Sequence, residues 1–127
     1  MDHNAQQLLR HLCKAYDDLS CQLRTSPFPT FSTTIKSEYG YCLVKCSMGS
    51  ECFTIVSVNF AESVRGQGVL KGFLHYIHCN PYQYQGIEVA TIQNQGLAAR
   101  LLSRGWQYKS LFTRWFCAKT PTLIHNF

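Results

Sequence analysis

Val64-Arg65-Gly66-Gln67-Gly68-Val69-Leu70-Lys71 is the stretch of this 127-residue chain whose residue types and spacing are best suited to chemistry. A β-prone run, Phe53 to Phe60, precedes it, and an amphipathic stretch, roughly Val69 to His78, follows it. Strand, glycine-rich turn and helix together bind anions. Glycine lets the backbone turn tightly and approach a ligand closely. The first N–H groups of a helix lack an intrahelical partner. The helix dipole favours negative charge at the same end. The expectation is a phosphate group held by the backbone. A tight turn without a ligand would use the same residues, so the rest of the chain must decide.

Two carboxylates lie at or beside β-prone runs. Glu62 directly follows the β-prone run, and Glu88 sits in a later one, Gly86–Ile92. Glu88 is the only acid after residue 62. An ordinary surface carboxylate is the plain alternative for each. The formal charge of +5 is uneven: residues 65–127 carry seven Lys/Arg against one acid, and residues 1–64 carry five against six. The excess suits an anionic ligand or partner, although a soluble basic surface reads the same way. The seven cysteines contain no Cys-x-x-Cys, and Cys42, Cys46 and Cys52 match no zinc spacing. His75-x-x-His78-Cys79 has no carboxylate or further histidine nearby in sequence. Solvated histidines, reduced thiols and no metal are therefore expected. No apolar run reaches the length of a membrane span. No basic and apolar leader is visible at residues 1–7, so a cytoplasmic setting is expected.

The elements that must position these residues follow from periodicity. Leu8, Leu12, Tyr16, Leu19 and Leu23 recur at helical spacing and predict a helix over 4–24, with Asn4 and Gln7 as its capping signal. Pro27-Phe28-Pro29 cannot continue that helix, and residues 25–34 read as a Ser/Thr/Pro-rich loop. Tyr39–Cys46 and Cys52–Phe60 read as an antiparallel pair around Ser47-Met48-Gly49-Ser50. In the second strand Phe53 and Ile55 share one parity, and Val56, Val58 and Phe60 the other. A bulge near Ile55-Val56 would restore the phase, and burial on both faces would explain the pattern equally well. Leu70, Phe73, Leu74 and Ile77 form the next helix's buried stripe. Leu97, Ala98, Leu101 and Leu102 predict another helix, ending at Gly105. Trp106–Ser110 and Thr113–Ala118 read as two last strands. The order is α, β, β, glycine turn, α, β, α, β, β. With 46% hydrophobic residues and no long linker, residues 1–127 are expected to form one domain.

The second half resembles the GCN5-related N-acetyltransferase (GNAT) superfamily. Arg65-Gly66-Gln67-Gly68-Val69-Leu70 is similar to its Arg/Gln-x-x-Gly-x-Gly/Ala motif at Arg65 and Gly68. Asn94, Leu97, Leu101, Gly105 and Trp106 fall at the spacing of its second motif. Together the motifs span residues 53–106. The resemblance implies an α/β fold with a mixed central sheet flanked by helices, ordered α-β-β-β(bulged)/Gly-turn-α-β-α-β-β with some early elements reduced. It implies acetyl-CoA as co-substrate. Its pyrophosphate would lie on the backbone of Gly66, Gln67, Gly68, Val69 and Leu70, near Arg65. Its pantetheine arm would pair with exposed backbone near Val58 and Phe60, and Asn94 would lie near the pantetheine or phosphate. The implied reaction is direct attack of an amine on the thioester in a ternary complex, with Glu88 or Glu62 as base.

Leu70 stands where the first motif carries Gly or Ala. Leu101 stands where many members carry the tyrosine that protonates the leaving thiolate. Tyr108 and Tyr41 are substitutes on grounds of chemistry and region. The acceptor is an amine on a small molecule or a protein. A catalytically inactive GNAT-like domain acting as a protein-interaction module is the alternative. Nucleic-acid binding has no recognised motif behind it. The Phe112–Phe116 stretch could pair with a second copy to make a homodimer.

Overall fold

The computed structural model describes residues 1–25, 30–47, 52–90, 95–108 and 122–127. Helix α1, His3–Thr25, opens the chain. Its cap is Asp2 and not Asn4: the Ala5 N–H donates to Asp2 Oδ1 at 2.9 Å. That bond, with the Gln67 amide, lowers the Asp2 pKa. Asn4 instead accepts a hydrogen bond from the Tyr39 hydroxyl at 3.0 Å.

Three antiparallel strands follow: β1 (Thr30–Ser37), β2 (Gly40–Ser47) and β3 (Cys52–Phe60). β1 occupies the second half of the stretch expected to be loop, residues 30–34. It is an edge strand, and Ile35 is its buried residue among those whose burial is described. The Ser/Thr pattern therefore looked like a loop, although threonine is a good strand former. After β3 come a single 3-10 turn, Glu62–Val64, and helix α2, Val69–Cys79. Then come β4 (Gly86–Val89), α3 (Gln95–Ser103), β5 (Gln107–Tyr108) and β6 (Leu123–Asn126). Among the described residues the sheet runs β1-β2-β3-β4-β6-β5, with only the β3–β4 pair parallel. The last strand is β6. The Thr113–Ala118 strand and the Phe112–Phe116 dimer edge lie outside the described residues, as does the 48–50 turn.

Directly opposed residues share a face of a sheet, and neighbours along a strand alternate. Phe53, Ile55, Ile87, Val89 and Leu123 thus project to one face, and all are buried. α1 and α2 cover that face through Tyr16 and Phe73. The Tyr16 ring meets Phe53 edge-on with centroids 4.9 Å apart. Burial raises the Tyr16 pKa, and its hydroxyl donates to the Asn80 carbonyl at 2.7 Å. In α2 the buried residues are Val69, Phe73, Leu74 and Ile77; Leu70 is only half-buried. α3 packs against β6 and ends as expected: Gly105 has φ +93°, and the Trp106 N–H reaches the Leu101 carbonyl.

The bulge falls where the parity change placed it. Val44 opposes Ile55, but Leu43 opposes Ser57, so Val56 is the extra residue. Cys42 lies on the same face as Val44 and opposes Val58. The bulge therefore returns Val58 and Phe60 to the face of Phe53 and Ile55, and both pack on the core.

Cys42 and Cys46 are buried on that same face, and burial pushes the Cys42 thiol up to about 12. Cys52 has the parity of Thr54 and projects to the other side. The three do not converge, and no cluster of three His, Cys, Asp or Glu with metal-binding geometry occurs among the described residues. No described helix is long and apolar enough to cross a membrane.

Candidate functional site

The described pairing of the two parallel strands ends at the bulge. β3 and β4 pair from Cys52↔Gly86 to Ile55↔Val89, and the Ala90 N–H donates to the Ile55 carbonyl at 2.9 Å. Beyond this vertex, Ser57–Phe60 remain paired with β2 but have no β4 partner among the described residues. Among the described residues, one backbone edge of Val58 and Phe60 therefore lacks a strand partner, and this unpaired gap is a wedge with its vertex at Ile55–Val89 and its mouth at Phe60. Such an edge can add an extended, amide-containing ligand as if it were a strand.

The open end of the wedge leads to the glycine turn. Gly66 has φ +73° and Gly68 φ +83°, a region that side chains disfavour. A Cβ added at either would meet nothing within 4 Å, so both face open space. Gly68 caps α2 with no side-chain hydrogen bond, and its carbonyl takes the first helical bond from Gly72. The amides of Val69, Leu70 and Lys71 therefore start the helix without intrahelical acceptors.

Two side chains brace this turn. Arg65 Nε donates to the Phe60 carbonyl at 2.7 Å and Nη2 to Asn59 Oδ1 at 3.3 Å. This fixes the guanidinium against the end of β3. Gln67 is engaged at both ends of its amide. Its Oε1 accepts from the Asp2 N–H, and its Nε2 donates to Asp2 Oδ2 and to the Ser63 carbonyl. What Gln67 offers a ligand is its backbone.

The two candidate bases are separated. Glu88 is buried on the face opposite α1 and α2, one residue short of the vertex, where it accepts a hydrogen bond from Thr54 Oγ1 at 3.0 Å. Glu62 is exposed at the start of the 3-10 turn, past the end of β3. Thr54 to Phe60 alone spans about 20 Å of strand. Glu88 thus belongs to the narrow end of the wedge and Glu62 to its mouth. Thr54 was not singled out from the sequence. Its signal is parity, since it shares the face of Glu88 once the two strands are paired in register.

Leu101 is buried in α3 and serves the core. Tyr41 is exposed at the mouth end of β2, opposite Asn59. Tyr108 opposes Leu123, on the face away from Glu88. Neither tyrosine stands beside the vertex. Asn94 lies outside the described residues.

This arrangement is the acyl-CoA N-acyltransferase fold, the fold of the GNAT superfamily that the two motifs resemble. Solved structures of acetyltransferase type share it. A protein of Agrobacterium tumefaciens assigned as an acetyltransferase superposes with a TM-score of 0.53 at 15% identity, covering 100% of this chain and 94% of its own. An acetyltransferase from Bacillus cereus gives 0.50 at 14%, with 90% of each chain covered. Arabidopsis thaliana NAA60, solved with a bisubstrate analogue, gives 0.50 at 13%, covering 95% of this chain and 94% of its own. At such identities the likeness is one of fold. No protein-family model matches the chain, and no curated protein matches it.

Proposed function

We propose that the chain is an N-acetyltransferase that moves an acetyl group from acetyl-CoA to an amine acceptor by direct attack. The observation behind this reading is that the described β3–β4 pairing stops at Ile55 and Val89, beside the bulge, while the end of β3 leads to a glycine turn without a side-chain cap. A long ligand with an amide-rich arm and a pyrophosphate fits both features in one run.

Acetyl-CoA supplies the activated acyl group as a thioester. In this reading the backbone amides of Gly66, Gln67, Gly68, Val69 and Leu70 receive the pyrophosphate. The backbone at Val58 and Phe60 pairs with the pantetheine arm, and Asn94 is assigned to the same ligand. The Arg65 N–H groups not used on Phe60 and Asn59 add positive charge at the mouth. An open backbone donor near the bulge would polarise the carbonyl.

Glu88 is the base of choice because it lies beside the vertex, on the face opposite α1 and α2. It takes a proton from the amine directly or through water, while Thr54 fixes its carboxylate. Glu62, at the mouth, is the second candidate. Glu88→Gln keeps the shape and the acceptor for Thr54 but removes the base. It is expected to lower kcat by about 10²–10⁴-fold. Acetyl-CoA binding should be unchanged. Assays of CoA release with Glu88→Gln and Glu62→Gln side by side test the assignment. Wild-type kcat in Glu88→Gln would contradict it.

The second reading is a GNAT-like domain that binds CoA without turnover. Its support is Leu101, whose burial in the core leaves no phenol at that position for the leaving thiolate. CoA binding with no acetylation of any amine would favour it.

A further inference from the structure

α1 and α2 cover one face of the sheet, and among the described residues the other face is exposed over β1–β3 and buried at Glu88. On β1–β3 this second face carries Ser32, Thr34, Lys36, Tyr41, Lys45, Ser57 and Asn59, all exposed. No Asp or Glu occurs anywhere in the three strands, so Lys36 and Lys45 stand there without a carboxylate from the strands themselves. At the mouth end the face runs into an open cleft of about 500 Å³. Lys36, Tyr41, Asn59, Phe60 and Arg65 line it, together with one acid, Glu38 of the β1–β2 turn. At the other end Lys45 opposes Thr54, which opposes Glu88 at the vertex.

From this geometry we infer that the open face docks an acidic polypeptide segment of a protein acceptor and delivers its amine to the vertex. The inference rests on the acetyltransferase reading for its chemistry. Its first support is charge: the only charged side chains that β1–β3 present here are cations. Its second is length. Lys45 and Tyr41 are four residues apart on β2, about 14 Å, and Lys45 lies two strands, about 10 Å, from Glu88. The path from the cleft to Glu88 is therefore about 20 Å, beyond the reach of a small amine. An extended peptide of about six residues covers it. A nucleic acid suits the face less well. Two lysines and an arginine are sparse against a phosphate every few ångströms, and a single exposed tyrosine is not a stacking ladder. Nucleic acid also offers no aliphatic amine to acetylate.

The test uses fluorescein-labelled peptides, each with one primary amine flanked by Asp/Glu, by Ser/Gly, or by Lys/Arg. Binding is read by anisotropy with CoA present, against wild type, Lys36→Glu/Lys45→Glu and the milder Lys36→Gln/Lys45→Gln. The acidic peptide should bind about tenfold more tightly than the neutral one, and added salt should erode the difference. The Glu pair should invert the preference toward the basic peptide, and the Gln pair should abolish it. Acetyl-CoA affinity should stay at the wild-type value in both. Equal binding of the three peptides, an acidic preference that survives both variants, or tighter binding of a single-stranded oligonucleotide would each overturn the inference. Anisotropy does not need turnover. If acetyl-CoA fails to bind, the transferase reading falls, and the peptide series still decides whether the face is a docking surface.

Discussion

Phe53→Ala should cost about 3–5 kcal/mol, the usual range for emptying a fully buried phenylalanine site. Phe53 is wholly buried, with its ring centroid 4.9 Å from Tyr16, 5.4 Å from Tyr84 and 6.5 Å from Phe73. These rings come from α1, from the segment between α2 and β4, and from α2. Backbone hydrogen bonds hold the strand, so little can collapse into the gap. Against a typical stability of about 5–15 kcal/mol the loss is large. A fall in Tm of about 10 °C or more should accompany it. A urea midpoint shifted by less than the equivalent of about 1 kcal/mol would show that the core is not organised around this ring.

Gly68→Ala should leave the chain folded and remove most of its affinity for acetyl-CoA. The added methyl would meet no protein atom within 4 Å, so the structural cost is that of φ +83° alone. That cost is about 1–2 kcal/mol. The methyl projects into open space at the turn, and any relaxation of φ redirects the first amides of α2. Affinity is expected to fall at least about tenfold, equivalent to about 1.4 kcal/mol. Isothermal titration of the folded variant reads this directly. Wild-type affinity would mean that the turn is only a connection between strand and helix.

Much of the frame was legible because it depends on local chemistry. The parity change between Ile55 and Val56 pointed to the bulge, which falls at Val56. Glycines at 66 and 68 pointed to a tight turn, where both have positive φ, and Gly105 to the end of α3. Where the reading failed, tertiary context was the deciding factor. Of the residues whose burial is described, β1 buries only Ile35, so its Thr-rich sequence carries almost no hydrophobic period. Local composition alone reads it as a loop, whereas the GNAT resemblance implies a third early strand. β6 is four residues, and only its pairing with β4 and β5 marks it as a strand. Asp2 and not Asn4 caps α1, since the helix already begins at His3, and Asn4 bonds Tyr39 instead.

The site was legible as a list and not as a layout. Glu62 and Glu88 are equivalent as isolated acids. Strand register places Glu88 beside Thr54 at the vertex and Glu62 past the end of β3. Gln67 belonged to the motif, but its contact with Asp2, 65 residues away, cannot be read from local sequence. The uncovered basic face was likewise invisible until the pairing showed which residues of β1, β2 and β3 point together.

The most direct test is a thermal-shift titration with acetyl-CoA, run beside CoA and ATP. A ligand that binds only the folded chain should add about 2.7 kcal/mol of stability at 100 times its Kd. The unpaired edge of β3 and the glycine turn together predict a saturable shift with acetyl-CoA and CoA, and little or none with ATP, which has no pantetheine arm to enter the wedge. No shift with millimolar acetyl-CoA, or an equal shift with ATP, would contradict the account.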